Sequence, residues 1–235
     1  MISLKTLAAI ADPRGHAHTI IQQIEAGMYD RWFAGRKDMT VIDCGANVGL
    51  FSLYAQPHCK HIVAIEPCPE HCAIFRELMG EHLARWQESP LSVQGVYRQT
   101  KGAATCIDLR ETAIYGSLGE HVTVWRNSDN TTANSIIRRS DDGLGLNAVT
   151  LPWIIKQTGV HSVDFCKVDI EGSELRALEI PILIACRPVI KAYYIETHAI
   201  GTRSITEVRD DIELRFSEAD YKTEVISHEA VYAWQ

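Results

Sequence analysis

Positive charge is in short supply in this chain: 23 Lys and Arg stand against 30 Asp and Glu, a formal net charge of -7. Nucleic-acid binding draws much of its affinity from Lys and Arg that displace phosphate counterions. The balance therefore argues against a polyanionic partner, and no local basic patch stands out. Long apolar runs are missing as well. Nothing approaches the roughly 20 apolar residues that a membrane-spanning helix needs. The stretch MISLKTLAAIADP is bracketed by Lys5 and Asp12 and precedes no small-residue cleavage pattern, so it does not read as a signal peptide. The expectation is a cytoplasmic protein with no nucleic-acid or membrane partner. Paired cysteines are also lacking. The seven cysteines, Cys44, Cys59, Cys68, Cys72, Cys106, Cys166 and Cys186, are odd in number and scattered, without CxxC or zinc spacing. Reduced thiols are expected rather than a disulfide framework. The absence of internal repeats and low-complexity tracts excludes solenoid and fibrous designs.

What remains is an ordinary globular composition, 46% hydrophobic and 23% charged over 235 residues, enough to bury a substantial core. Open α/β sheets reach this size as one unit, so residues 1–235 are expected to form a single domain with an N-terminal helical cap at about 1–38. Residues 19–33 (TIIQQIEAGMYDRWF) place Ile20, Ile24 and Met28 on one helical face despite Gly27. Short β-like runs then alternate with helical ones: MTVIDC, a helix over 50–55, HIVAIE, and a longer helix over about 70–86. Such alternation means parallel pairing. LSVQGVY reads as the third strand, with ATCIDL and HVTVW as additional strands beside the turns at Gly116 and Gly119. Residues 126–147 are polar and turn-rich, a functional or mobile loop. In it Asn130, Thr131, Asn134 and Ser135 suit a polyhydroxyl acceptor or plain solvation. Next come a helix near 152–157, the strand VDFCKVDI, a helix over 173–179, the strand PVIKAYYIE and a helix near 206–217. YKTEVIS and AVYAW close the chain as an antiparallel hairpin at the sheet edge.

The chemistry concentrates at VIDCGANVG. A buried β-run ends in Asp43 and enters a turn with Gly45 and Gly49, followed by a helix start. Gly45 allows a tight bend close to a ligand, Gly49 allows close helix packing, and Asn47 tolerates left-handed dihedrals. The next strand ends at Glu66 in AIEP, where a carboxylate can accept hydrogen bonds from both ribose hydroxyls. A glycine-rich turn alone is often a plain structural bend; paired with an acidic strand end at this distance it indicates a nucleoside cofactor. Asp43 would repel a pyrophosphate, which prefers backbone amides at a helix N-terminus. S-adenosylmethionine has no phosphate and carries an ammonium and a sulfonium, which a carboxylate favours. That separates a methyl donor from a dinucleotide, and a nicotinamide-dependent oxidoreductase is the rival it disfavours. A cofactor-binding module without catalysis is a third reading.

DCGANVGLFSL, AIEPCPE and VDFCKVDIEGSELRAL followed by YYIETH resemble the FkbM-type methyltransferases, a branch of the Rossmann-like class I enzymes, over about residues 41–198. The resemblance implies a seven-stranded, mostly parallel sheet of order 3-2-1-4-5-7-6 with helices on both faces, and S-adenosylmethionine as donor. It also implies O-methylation of a sugar, polyketide or related small metabolite in biosynthesis. N-methylation of an amine or a peptide side chain is the alternative, and a homodimer is left open. By position, Asp43, Gly45, Ala46, Asn47 and Gly49 fall on the cofactor loop and Glu66 on the ribose contact. Lys167, Asp169, Glu171 and Gly172 fall on the fourth-strand signature, and Glu196 and His198 on the end of the fifth strand. Family members commonly carry an acidic residue after the Thr-Leu that precedes the fourth-strand block, whereas Thr150 and Leu151 are followed here by Pro152 and Trp153. Proline suits a first helical turn.

Ligands in open α/β sheets sit beyond the carboxyl ends of the strands, where KVDIEG puts Lys167, Asp169 and Glu171. A lysine and a carboxylate in an apolar run are costly to bury unless paired or functional, although a solvated strand end is the plainer reading. Methyl transfer to a hydroxyl requires that the acceptor oxygen be positioned and its proton removed. His198 has the intrinsic pKa for that proton, with Glu196 to orient it. Asp169, Glu171, Glu196 and His198 include enough oxygen ligands for a divalent ion, but no dedicated metal spacing is present, and no metal is expected.

Overall fold

The computed structural model describes residues 18–80, 86–88, 96–99, 105–125 and 142–235. In chain order the helices are α1 (His18–Glu25), α2 (Asp30–Phe33), α3 (Leu50–Ala55), α4 (Pro69–Gly80), α5 (Leu151–Thr158), α6 (Glu174–Ala177), α7 (Ile180–Cys186) and α8 (Ile205–Glu218). The strands are β1 (Met39–Cys44), β2 (Cys59–Ile65), β3 (Trp86–Glu88), β4 (Val96–Gln99), β5 (Cys106–Arg110), β6 (His121–Trp125), β7 (Gly143–Asn147), β8 (Phe165–Val168), β9 (Ala192–Glu196), β10 (Lys222–Ser227) and β11 (Ala230–Trp234).

Nine of the strands form one sheet, ordered β10-β11-β9-β8-β1-β2-β5-β4-β3. β5, β2, β1, β8 and β9 run parallel, and β11 returns antiparallel between β9 and β10. Read by position, these seven give the expected order 3-2-1-4-5-7-6. The third place, however, belongs to β5 in ATCIDL and not to LSVQGVY. Only the end of the latter run lies in a described strand, β4, which pairs antiparallel with β5. The connection from Gln99 to Cys106 is far shorter than the dozen or so residues a parallel crossover needs, so β4 must turn back, and β3 extends the edge beyond it. Among the described residues β6 and β7 pair only with each other, and Val122 and Val124 of β6 pack with Ala113 and Ala148.

Every residue of β1 is buried, as a central strand covered on both faces requires. Its alternating side chains feed two cores. Ile42 and Cys44 join Ile154, Leu183 and Phe216 from α5, α7 and α8. Val41 joins Tyr29, Phe33, Phe51 and Phe75 from the other side. The expected N-terminal helix over 19–33 is two helices, because Gly27 at φ +69° ends the first. Of the helix expected over 70–86, Pro69–Gly80 is described, and Trp86 opens β3. The one expected over 173–179 ends at Ala177, and Pro181 in the first turn of α7 restarts the chain as a separate helix. Pro152 likewise sits in the first turn of α5. α8 is capped by Ser204 and Glu207 acting reciprocally. All seven cysteines are free thiols. Among the described residues no helix is long and apolar enough to cross a membrane.

Candidate active site

The carboxyl ends of β1, β2, β8 and β9 converge on one cavity of about 150 Å³. The turn after β1 places Gly45, Asn47 and Gly49 at φ of +78°, +50° and +94°. A Cβ on Gly45 would lie 1.7 Å from the carbonyl oxygen of Asp169, so the turn and the exit of β8 meet backbone to backbone. A Cβ on Gly49 would lie 2.6 Å from the Phe75 ring. Glu66, just past β2, has its Oε2 fixed by the amide of Asn47 at 2.9 Å. Its Oε1 accepts the amide of Cys68 at 3.0 Å and faces Nδ1 of His71 at 3.1 Å. A carboxylate held this way keeps lone pairs for a ligand while its own orientation is fixed.

Asp43 is fully buried behind the turn. Its Oδ2 accepts the Ser52 hydroxyl at 2.7 Å, and its Oδ1 has no hydrogen-bond partner but lies 3.9 Å from Lys167 Nζ. Burial pushes its pKa up, against the pull of Lys167 and Ser52. Lys167 donates to Asp169 Oδ2 at 2.9 Å. Burial alone would lower the lysine, but Asp169 and Asp43 reverse that and hold it above the ordinary range. Asp169 is half-buried, and Lys167 and His198 keep it below the usual carboxylate range.

Past β8 the chain turns through Glu171 and Gly172 at φ +52° and +100°. This turn wraps the buried carboxylate of Glu174, whose Oε1 accepts the Ile170 and Gly172 amides at 3.4 and 3.1 Å and Nδ1 of His198 at 2.8 Å. His198 Nε2 stands 3.7 Å from Asp169 Oδ1 and 3.6 Å from Glu171 Oε2. Burial would lower its pKa, but Glu174, Glu171 and Asp169 raise it to about 10. The orienting partner of this histidine is thus Glu174, where the sequence suggested Glu196. Glu196 faces elsewhere: Gln23 Nε2 donates to its Oε2 at 2.7 Å, and the Tyr29 hydroxyl donates to Gln23 Oε1 at 2.6 Å. Burial and the neighbouring Asp169 push Glu196 up to about 7, against Lys167, Gln23 and His198.

Gly45, Ala46, Asn47, Glu66, Lys167, Asp169, Glu171 and Glu196 line the cavity, whereas Asp43, Gly49, Gly172 and His198 are not among its lining residues. Gln23, another lining residue, has a sequence signal: it is a polar residue three positions after Ile20, on the helical face otherwise given to Ile20 and Ile24. Glu174 shows only as an acidic residue opening a short helix. Asn130, Thr131, Asn134 and Ser135 lie outside the described residues.

Residues 43–223 match the methyltransferase FkbM domain. The chain belongs to the FkbM methyltransferase family. No curated protein matches it. Among solved structures, precorrin-6y C5,15-methyltransferase from Geobacter metallireducens is 11% identical, with 87% of this chain and 85% of that chain covered and a TM-score of 0.46. Fibrillarin from Methanococcus jannaschii is 13% identical, with 85% and 67% covered and a TM-score of 0.46. Trm1 from Pyrococcus horikoshii, in complex with S-adenosyl-L-methionine, is 10% identical, with 100% and 56% covered and a TM-score of 0.46. Likeness this remote bears on neither substrate nor mechanism.

As an FkbM-family enzyme the chain is an S-adenosylmethionine-dependent methyltransferase. Its own residues fit that donor. Among the lining residues the turn offers backbone and the glycine bend but no lysine or arginine for a phosphate, and carboxylates surround it at Glu66 and Asp169, with Asp43 behind. Among the described residues two groups of side chains have the reach to share a metal ion: Glu66, Cys68 and His71, and Asp169, Glu196 and His198. In the first, Glu66 is already fixed by Asn47 and Cys68.

Proposed function

We propose that this FkbM-family methyltransferase O-methylates a hydroxyl of a small metabolite, of the sugar, polyketide or related natural-product kind. The observation that supports the reading best is Glu196, a cavity-lining carboxylate that titrates near neutrality at about 7. A group that is half ionised at neutral pH is well matched to accept a proton during the reaction.

S-adenosylmethionine, when bound, supplies the electrophilic methyl group. On this reading Glu66 holds its ribose, since both carboxylate oxygens are fixed from behind and present their remaining lone pairs to the cavity. Gly45 and Ala46 let the backbone come close, and Asp43, Asp169 and Glu171 favour the ammonium and the sulfonium. Gly49 and Gly172 shape the turns that carry these groups. Lys167 keeps Asp169 ionised and still. Glu196 takes the acceptor's proton on Oε1, because Oε2 is engaged by Gln23. His198 contributes as a cation that bridges Asp169 and Glu171, and the base role suggested by its residue type passes to Glu196. The same reading treats residues 1–235 as one domain acting in the cytoplasm, with a net charge of -7 that does not suit a polyanionic acceptor.

A second reading, an amine acceptor, is favoured by the surplus of carboxylates in the wall: Glu66, Asp169, Glu171 and Glu196 against Lys167. The test is to incubate the enzyme with methyl-labelled donor and panels of polyhydroxylated metabolites, amines, peptides and RNA, and to locate the label by mass spectrometry. A methyl ether on a small molecule is the expected product. Label on nitrogen of an amine or a peptide side chain supports the second reading, and label confined to RNA refutes both.

A further inference from the structure

We infer that Ser173 is a specificity-determining residue of the donor site, whose hydroxyl makes a hydrogen bond to the purine rim of S-adenosylmethionine in an apolar stretch of the cavity wall. The inference rests on the proposed seating of the donor's ribose on Glu66.

Ser173 is fully buried and lines the cavity, yet its Oγ has no hydrogen-bond partner. A hydroxyl that has given up water for no new partner is costly to the fold, and local structure does not account for it. The residue stands just before α6, but its side chain makes no capping bond there. Two other buried oxygens nearby, Asp43 Oδ1 and Glu174 Oε2, also lack a hydrogen bond. Neither of those residues lines the cavity, and each carboxylate has a basic side chain beside it, Lys167 at 3.9 Å and His198 at 2.8 Å. Among the described residues, the Ser173 hydroxyl is the one buried unpartnered polar group whose residue lies on the cavity wall.

The two sides of the wall differ in chemistry. Residues two apart on a strand share a face, so Glu196 follows Tyr194 on the side whose core holds Tyr29 and Phe51, where Gln23 of α1 bonds it. Ile114 and Ile170 pack into the core on the other face, with Val168 and Ile195. The Ser173 amide donates to the Ile170 carbonyl at 3.3 Å, which keeps Ser173 on that second side. There the segment after β5 closes against the turn after β8: the Arg176 guanidinium lies 5.5 Å over the Tyr115 ring, and a Cβ on Gly116 would lie 2.9 Å from the Arg176 carbonyl oxygen. Ala113, Ile114 and Ile170 thus form an apolar stretch of wall around Ser173, with Val124 of β6 also lining the cavity.

A purine fits such a stretch. Its faces are flat and apolar, and its rim carries ring nitrogens and an amino group that need partners once buried. A serine hydroxyl both donates and accepts, so it can meet either kind. Direction follows from the two ends of the donor: with the ribose on Glu66, the methyl end must reach the side of Glu196 and Asp169, and the base takes the side of Ile114 and Ser173. One polar group in an apolar pocket fixes orientation and rejects a ligand that lacks the matching atom.

The test titrates S-adenosylhomocysteine and its base analogues into the full-length wild type and Ser173→Ala by calorimetry. The analogues are the 1-, 3- and 7-deaza compounds and the compound with hydrogen in place of the 6-amino group. Ser173→Ala should bind S-adenosylhomocysteine about 3- to 10-fold more weakly, as expected for loss of one neutral hydrogen bond. Toward at least one analogue, which lacks the partner atom, the two proteins should bind equally, while the others repeat the loss. The Tm of Ser173→Ala without ligand should equal or exceed that of the wild type, because the hydroxyl has no partner within the protein to lose. Equal affinity of both proteins for S-adenosylhomocysteine overturns the inference, as does the same loss toward all the analogues. A lowered Tm, or failure of Ser173→Ala to fold, assigns the hydroxyl a structural role and overturns it as well. The seating of the ribose is tested apart by Glu66→Ala: unchanged affinity there refutes that seating, whereas a loss in Glu66→Ala with none in Ser173→Ala refutes this inference alone.

Discussion

The buried carboxylate of Glu174 lies 2.8 Å from Nδ1 of His198, and this pairing, with Glu171 and Asp169 beside it, pushes the histidine pKa up to about 10. Replacing the carboxylate by an amide in Glu174→Gln leaves the shape and removes the charge. The His198 pKa should fall toward its ordinary value near 6.5, as read by NMR titration. The consequence for stability has a definite sign. A histidine whose folded pKa lies above its unfolded one stabilises fully below the unfolded value, and that contribution fades as pH rises through the folded value. The wild-type melting temperature should therefore decline between about pH 6.5 and 10, whereas Glu174→Gln, with Glu171 and Asp169 still beside the ring, should show a shallower decline that ends at lower pH. An unchanged slope in the variant contradicts the assignment.

Activity should show a different limb. Glu196 must be ionised to accept a proton, so kcat/KM should rise as pH passes through about 7. Glu196→Gln should lower kcat by about 100-fold or more, the usual worth of general base catalysis, and should abolish that limb while donor affinity stays within a few fold. His198→Gln should keep the limb and lower turnover, because Asp169 and Glu171 lose the cation between them. Steady-state kinetics across pH 5 to 9 separate the two.

The backbone contact under the glycine turn predicts a graded series. Gly45→Ala places a Cβ 1.7 Å from the Asp169 carbonyl oxygen at a φ of +78°, where no side-chain adjustment relieves the clash. It should cost about 3 kcal/mol or more and abolish donor binding. Gly159→Ala, at a φ of +67° with nothing within 4 Å, carries backbone strain alone, about 1 kcal/mol. Urea denaturation should rank the two in that order, and equal losses would refute the close approach of the turn to Asp169.

What the sequence displayed and what it concealed divide along a physical line. Asp43, Gly45, Asn47, Gly49 and Glu66 were legible because local chemistry dictates them: positive φ after a strand and an acidic group at the next strand's end. The hairpin of β10 and β11 was legible from the shortness of its turn. LSVQGVY and ATCIDL look alike as β-runs, and which one takes the parallel place depends on the length of the connection between β4 and β5. Gly27 shows how one residue at φ +69° outweighs a good apolar stripe and splits a helix. Glu174 was beyond reach, and Gln23 showed only as a polar residue on an apolar helical face, since their partners lie 24 and 173 residues away. The raised pKa of His198 follows from Glu174, Glu171 and Asp169 and not from its residue type.

Glu66 is the residue on which donor binding should turn. Its carboxylate is fixed by the amides of Asn47 and Cys68 and opens onto the cavity. Losing a hydrogen bond to a charged group costs about 1.5 to 3 kcal/mol, which is roughly 10- to 100-fold in Kd. The decisive measurement is calorimetric titration of S-adenosylhomocysteine and, separately, NAD into the wild type and Glu66→Ala. The wild type should bind S-adenosylhomocysteine and not NAD, and Glu66→Ala should bind it roughly 10- to 100-fold more weakly. Binding of NAD alone, or equal affinity in wild type and variant, would contradict the account.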